Sequence, residues 1–515
     1  MIPQAAGYPF LKPNHKASIP PGIMDVVDYK AEKDKVERHR NATKARSGTR
    51  KLRTDAEALE LMQAEQPRED WSLLKAHNIL QGYKPANKMH AAIQHLSPSK
   101  FKSDIVRAFE SLSANEASGL SWKTTLVQLF TPSAAKGYCR IKPDRTKRND
   151  NTKEDWADPF VEWLKFRGYF LVACAFHLPG SDIRLLCPVP SDISVGALQS
   201  VSKELRKLRI YGRKPKVDSL SVLGLAEILI RHSEEFHDPD AEIFPGLSLR
   251  DRNPAQAVSG VQLTHYQSMG NSKAVSGMAT LALPGWFSIR GVDDARVWLE
   301  TLQEHQRVVR SLKDDRSDEI GLLLRYRKFL EQRGPASTWK LIEFMETYGA
   351  FLLRAREQDK RRRIPSFRAD LFRRLVMESA PRLTEVFTDP GFTAVAAAVR
   401  KATVSAQAQK AMGRKDYREI RYDLLPDLRR KRSLPGVQPF IQLVADFVSK
   451  YNSENGRRRE MGKPAPRNVT TEEFESFVRL VEKFGASTVG ALLCAYGSCR
   501  EPDETEESVE TATAT

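Results

Sequence analysis

The chain has 515 residues, 41% of them apolar, which is length and hydrophobicity enough for two to four domains with real cores. With 82 Lys and Arg against 65 Asp and Glu it carries a net charge of +17, a surplus that favours a polyanion, an anionic membrane or an acidic protein as partner. The longest purely apolar run, YFLVACAF at 169–176, is far short of the roughly 20 residues that span a bilayer, and no secretory h-region opens the chain, so no membrane-spanning segment and a cytoplasmic protein are expected.

Residues 1–60 read as a Pro-containing arm that turns basic, with ten Lys and Arg against three acids between Lys30 and Arg53. Such a run is either a solvated helix or a phosphate-facing arm. From 61 to 290 helical stretches interleave with short apolar runs bounded by Gly, Pro or polar residues. TLVQLF (125–130), YFLVACAFHL (169–178), IRLLCPV (183–189) and VSGMATLALP (275–284) are the expected strands.

After 290 the strand signals stop. DDARVWLETLQEHQRVVRSL, DEIGLLLRYRKFLEQRG and STWKLIEFMETYGAFLLRAR place apolar residues at helical spacing. Phe440, Leu443, Val444, Phe447, Val448 and Tyr451 form one stripe on a helix expected to end near Asn455-Gly456. Thr470 caps the next helix with Glu473 reaching back, Gly485 stops it, and Ser487 opens a last one. The expected fold is therefore α+β: a mixed α/β N-terminal domain followed by an all-α helical bundle over 291–500. The final stretch, 501–515, has six acids and no base and is read as a disordered acidic tail.

Catalytic signatures are missing. The chain has no Gly-rich Walker loop, no GxSxG and no HExxH. Its five cysteines (139, 174, 187, 494 and 499) form no CxxC pair, which fits a reducing compartment. His237, Asp238 and Asp240 are the best metal candidates, since a His-Asp pair can hold a metal that activates water for phosphodiester cleavage. The remaining histidines do not supply the further ligands, so the expectation is no enzyme and no cofactor.

What stands out instead is clustered positive charge. Lys136, Arg140, Lys142, Arg145, Lys147 and Arg148 are opposed only by Asp144. Arg361, Arg362 and Arg363 precede Ile364-Pro365, where a helix must end. Arg429, Arg430, Lys431 and Arg432 form a third cluster, and Arg457, Arg458 and Arg459 a fourth. One cluster is usually solvated surface. Four, with the basic arm, point to a phosphate backbone tracked over some distance.

LVQLFTPSAAKGYCRIKPD, DPFVEWLKFRGYF and KAMGRKDYREIRYDLLPDLRR resemble the large subunits of type I CRISPR interference complexes (Cascade), as does the stretch DFVSKYNSENGRRREMGKPAPRNVTTEEFESFVRLVEKFGASTVGALLCAYGSCRE. The resemblance covers about 115–500 and is strongest after 390. It implies a non-catalytic subunit that helps recognise the PAM (the short duplex motif beside the target), helps open the duplex, and helps recruit a helicase-nuclease. Implied partners are a guide crRNA, target double-stranded DNA, the backbone and handle-binding subunits, and a small subunit that an internal start at Met377 can supply. The relatives carry Gly-Lys-Gly, Asn-Arg and Lys-Ala where this chain has Ala135-Lys136-Gly137, Cys139-Arg140 and Lys142-Pro143. Lys136, Gly137, Arg140 and Lys142 match. Losing a Gly and an Asn leaves phosphate contact, to RNA or to DNA, better supported than base reading. Gln267, Gly270, Asn271, Ser272 and Lys273 are the candidates for PAM reading, their donors suiting groove edges, although a plain hairpin turn explains them equally. Three rival readings are a metal-dependent nuclease using His237, Asp238 and Asp240, a protein that coats RNA, and a scaffold whose basic surface meets an acidic protein.

Overall fold

A computed structural model describes residues 31, 34–38, 171–236, 242–269, 272–359, 362, 364–411, 413 and 417–501. Within them the fold is α+β, a four-stranded sheet followed by a long helical region. The strands are β1 (Cys174–His177), β2 (Ile183–Pro190), β3 (Val258–Met269) and β4 (Ser272–Ala282), and they lie in the sheet in that order. β1 and β2 pair antiparallel, Cys174 opposite Leu186 and His177 opposite Ile183. Of the expected strands, TLVQLF falls outside the described residues. β3 was hidden in the sequence because His265 occupies an inward position of its alternation, where it is buried and meets the Asp182 carboxylate at 3.2 Å.

Between β2 and β3 come α1 (Val195–Lys207) and α2 (Lys214–Arg231). After β4 the chain is helical: α3 (Val292–Ser311), α4 (Ser317–Glu331), α5 (Pro335–Gln358), α6 (Ala369–Ser379), α7 (Thr384–Thr388), α8 (Pro390–Ala402), α9 (Val404–Ala411), α10 (Leu424–Lys431), α11 (Gln438–Glu460), α12 (Thr471–Phe484) and α13 (Ala486–Gly497). The chain divides into two compact units. One comprises Met1–Pro188, Leu198–Tyr211 and Gln262–Ala279; the other comprises Val189–Ala197, Gly212–Val261 and Thr280–Thr515.

In the first unit, Ala173, Ile183, Leu185 and Tyr266 form a small core with Ala175 and Val275 packed against it. In the second, α2 packs on α3 and α4 although it precedes position 290, and α4 packs on α5. The centre of this unit is α13. Its sequence, ASTVGALLCAYG, is apolar on nearly every side, and Val489, Leu492, Leu493 and Cys494 are fully buried. A helix of that kind must be surrounded, and α5, α6, α8, α10, α11 and α12 all pack against it.

Local signals set the helix ends. Thr470 and Glu473 make the reciprocal capping box that opens α12, and Gly485, at φ 83°, ends it. α11, however, runs past Asn455-Gly456 to Glu460. Asn455 is buried and bonded rather than free to break the helix, its Nδ2 donating to Asn468 Oδ1 at 3.1 Å. The left-handed stop comes at Gly462, φ 66°. The sequence Arg457-Arg458-Arg459 is thus the last turn of a helix and not a loop.

Candidate nucleic-acid interface

Lys136, Gly137, Arg140, Lys142, Arg145, Arg361, Arg363, Gly270 and Asn271 lie outside the described residues, as do His237, Asp238 and Asp240. The remaining candidates separate into cations cancelled by buried carboxylates and cations that are not.

Arg362 belongs to the first group. Its guanidinium grips Glu319, Nη1 donating to Oε1 at 2.7 Å and Nη2 to Oε2, and Nη2 also donates to the Ser311 carbonyl at 2.9 Å. Glu319 is fully buried, and its hydrogen bond raises the already high pKa of Arg362. Arg432 does the same for buried Glu346, Nε reaching Oε1 at 2.8 Å and Nη2 reaching Oε2 at 2.6 Å. Arg429 leans on that carboxylate at 3.8 Å. These guanidiniums hold the fold together and have little charge to spare.

Arg430 and Lys431 stand in the last turn of α10, where the partial negative charge of the helix end favours cations. The Arg430 side chain is 70% exposed, and its ion pair with Asp427 at 2.8 Å is a surface contact three residues back. Lys431 has no side-chain partner among the described residues.

The end of α11 repeats the arrangement with a difference. Arg457 is exposed and without a side-chain partner among the described residues. Arg458 Nε donates to the Pro464 carbonyl at 3.0 Å, and Arg459 Nη2 to the Pro466 carbonyl at 3.0 Å. A carbonyl orients a guanidinium without neutralising it. These arginines therefore clamp the 461–468 loop through its own carbonyls.

Sequence reasoning missed Tyr417. The residue is 37% exposed and its carbonyl accepts from Arg458 Nη1 at 3.5 Å. Its position is fixed by the next residue, Arg418, which is buried between Glu454 (2.6 Å), Asn455 and the face of Tyr451, 4.2 Å from the ring centre. The alternating cations and aromatics of KDYREIRY were the available signal.

Gln267 is exposed near the end of β3, and Ser272 and Lys273 begin β4, the neighbouring strand. Asp182 pins this end of β3, accepting from the Ser268 backbone N–H at 2.8 Å. Gln267 thus sits near the end of one strand, and Ser272 and Lys273 at the start of the next.

No group of three or more His, Cys, Asp or Glu among the described residues is arranged to hold a metal ion. No described helix is long and apolar enough to cross a membrane. No family model, curated protein or solved structure matches this chain.

Proposed function

We propose that the chain is a non-catalytic, nucleic-acid-binding large subunit of a type I Cascade-like complex, working in the prokaryotic cytoplasm. In this reading it contributes to PAM recognition, R-loop stabilisation and effector recruitment. Its partners are guide crRNA, target double-stranded DNA, the backbone and handle-binding subunits, a small subunit and a recruited helicase-nuclease. The observation that carries the reading is the set of cations at two helix ends that pair with no buried carboxylate among the described residues, Arg430 and Lys431 on α10 and Arg457 and Arg459 on α11. They sit within the segment whose sequence resembles Cascade large subunits. Phosphates are the natural counterions of such ends, and contacts to a backbone position a strand without reading its sequence.

The test is to express the chain with its neighbouring genes, purify it through a tag, and identify the RNA and proteins that accompany it. A uniform short RNA with one repeat-derived handle and varied spacers is the expected result. Heterogeneous RNA or none overturns it, and divalent-metal-dependent cleavage abolished by His237→Ala establishes the nuclease instead. In the same complex, Arg430→Ala, Lys431→Ala and Arg457→Ala should each weaken binding across all sequences and lower the salt slope by about one.

A further inference from the structure

A further basic stretch precedes the α10 and α11 clusters in the sequence. SKELRKLRIYGRKPK, 202–216, has seven Lys and Arg and one acid. At its centre Tyr211 is 74% exposed, the most exposed large hydrophobic side chain among the described residues. Tyr normally buries its ring and leaves only the hydroxyl in water. Here the neighbouring residue makes the opposite choice, because Ile210 is buried and anchors the chain.

The turn that follows is built, not loose. Gly212 has φ 135°, and a Cβ there would stand 2.5 Å from Asp314 Oδ2. The same oxygen accepts the Arg213 backbone N–H at 2.5 Å. Lys216 Nζ then ties the start of α2 to the carbonyls of Arg310 (2.9 Å) and Leu312 (2.7 Å). Only glycine fits this position. On the other side of Tyr211, Arg206 is tied to the Ala173 carbonyl at 3.1 Å and Lys207 to Glu204 at 2.6 Å. Arg209, by contrast, is exposed and unpaired among the described residues.

We infer that Tyr211 is a stacking platform for an unpaired nucleobase, with Arg209 holding the adjoining phosphate. An exposed ring two residues from an exposed guanidinium with no partner among the described residues suits a single strand. Every base offers it a face, whereas a duplex keeps its bases stacked on one another. The inference rests on the nucleic-acid reading proposed above and adds the form of nucleic acid met at this turn.

The test uses the full chain and fluorescence anisotropy with a mixed-sequence single strand of about 20 nucleotides and the duplex of the same sequence. Tyr211→Ala should weaken single-strand binding about tenfold, leave duplex binding unchanged and leave the salt slope unchanged, since stacking releases no counterions. Tyr211→Phe should bind like wild type. Arg209→Ala should lower the slope by about one. Single strands carrying 5-iodouracil should photocrosslink to the peptide containing Tyr211. Wild-type binding that Tyr211→Ala leaves intact, or that it weakens equally for duplex, overturns this inference and leaves the parent reading standing. A wild-type chain that binds neither form overturns both. Retention of an acidic protein that Tyr211→Ala releases, with no effect on nucleic acid, assigns the turn to a protein partner and overturns the inference.

Discussion

Two adjacent buried residues pull the pH dependence of stability in opposite directions. Burial raises the Glu304 carboxyl to about 7, while its Oε1 accepts the Arg368 backbone N–H at 2.8 Å. Burial lowers His305 to about 3, its Nδ1 sharing a hydrogen bond with the Tyr326 hydroxyl at 2.9 Å. For Glu304 the folded state binds the extra proton, so its contribution is present below about 4.5 and is lost as pH rises through 7. For His305 the unfolded state binds it, so stability is lost as pH falls from 6.5 towards 3. Glu304→Gln keeps the acceptor and removes the charge. Its unfolding free energy should match wild type near pH 4.5 and exceed it increasingly up to pH 7, by at most about 3 kcal/mol. A difference that does not vary with pH would refute this account. The two kinds of arginine separate in the same way. Arg432→Ala strands the buried carboxylate of Glu346 and should cost about 3 to 5 kcal/mol. Arg430→Ala should cost under about 1 kcal/mol. Chemical denaturation of both variants decides it, and equal losses would remove the distinction. Nothing in the local runs RRR or RRKR announces which arginine is taken, because Glu319 and Glu346 lie 43 and 86 residues away in sequence.

At the scale of elements, what could be read beforehand was what local chemistry dictates. The Thr470–Glu473 box, the stop at Gly485 and the apolar stripe of α11 all follow from neighbours in sequence. The extension of α11 through Gly456 did not, since it depends on what Asn455 meets from residues 467–468. Close helix approach was equally hidden. At the start of α8, Asp389 caps Phe392 N–H at 2.8 Å and accepts from Ser476 of α12 at 2.7 Å. A Cβ on Gly391 would lie 2.1 Å from the Glu473 carbonyl oxygen. Gly391→Ala should therefore force α8 from α12 and lower stability by about 1 to 3 kcal/mol, read as a fall in melting temperature. An unchanged midpoint would show that the junction yields freely. Met377 presents an element-scale problem of its own. It stands in the last turn of α6, so a product starting there lacks buried Leu371, Phe372 and Leu375 and the whole of α5, which packs on α13. Phe372 also meets Phe387 at 6.1 Å and Tyr496 at 6.5 Å between ring centres. Expressed alone, residues 377–515 should melt without a cooperative transition. A sharp transition would restore Met377 as a workable start.

For the whole molecule, the net charge of +17 reads differently once pairing is known. Much of the arginine in the helical unit is matched inside it, by Asp218, Asp294, Glu319, Glu346 and Glu454 among others. Among the described residues, Arg209, Arg430 and Arg457 are exposed cations that no buried carboxylate matches. The clamp at the end of α11 has a calorimetric consequence. Arg458 and Arg459 already hold the 461–468 loop in place through its own carbonyls, so a strand bound there would have little chain to order, and exposed Tyr417 and Met461 are the apolar surface it would cover. The heat-capacity term of that association should then lack the large contribution of coupled folding and stay small. The driving force would then reside in the ions set free, and this end of the molecule would grip a strand about as firmly in the cold as in the warm.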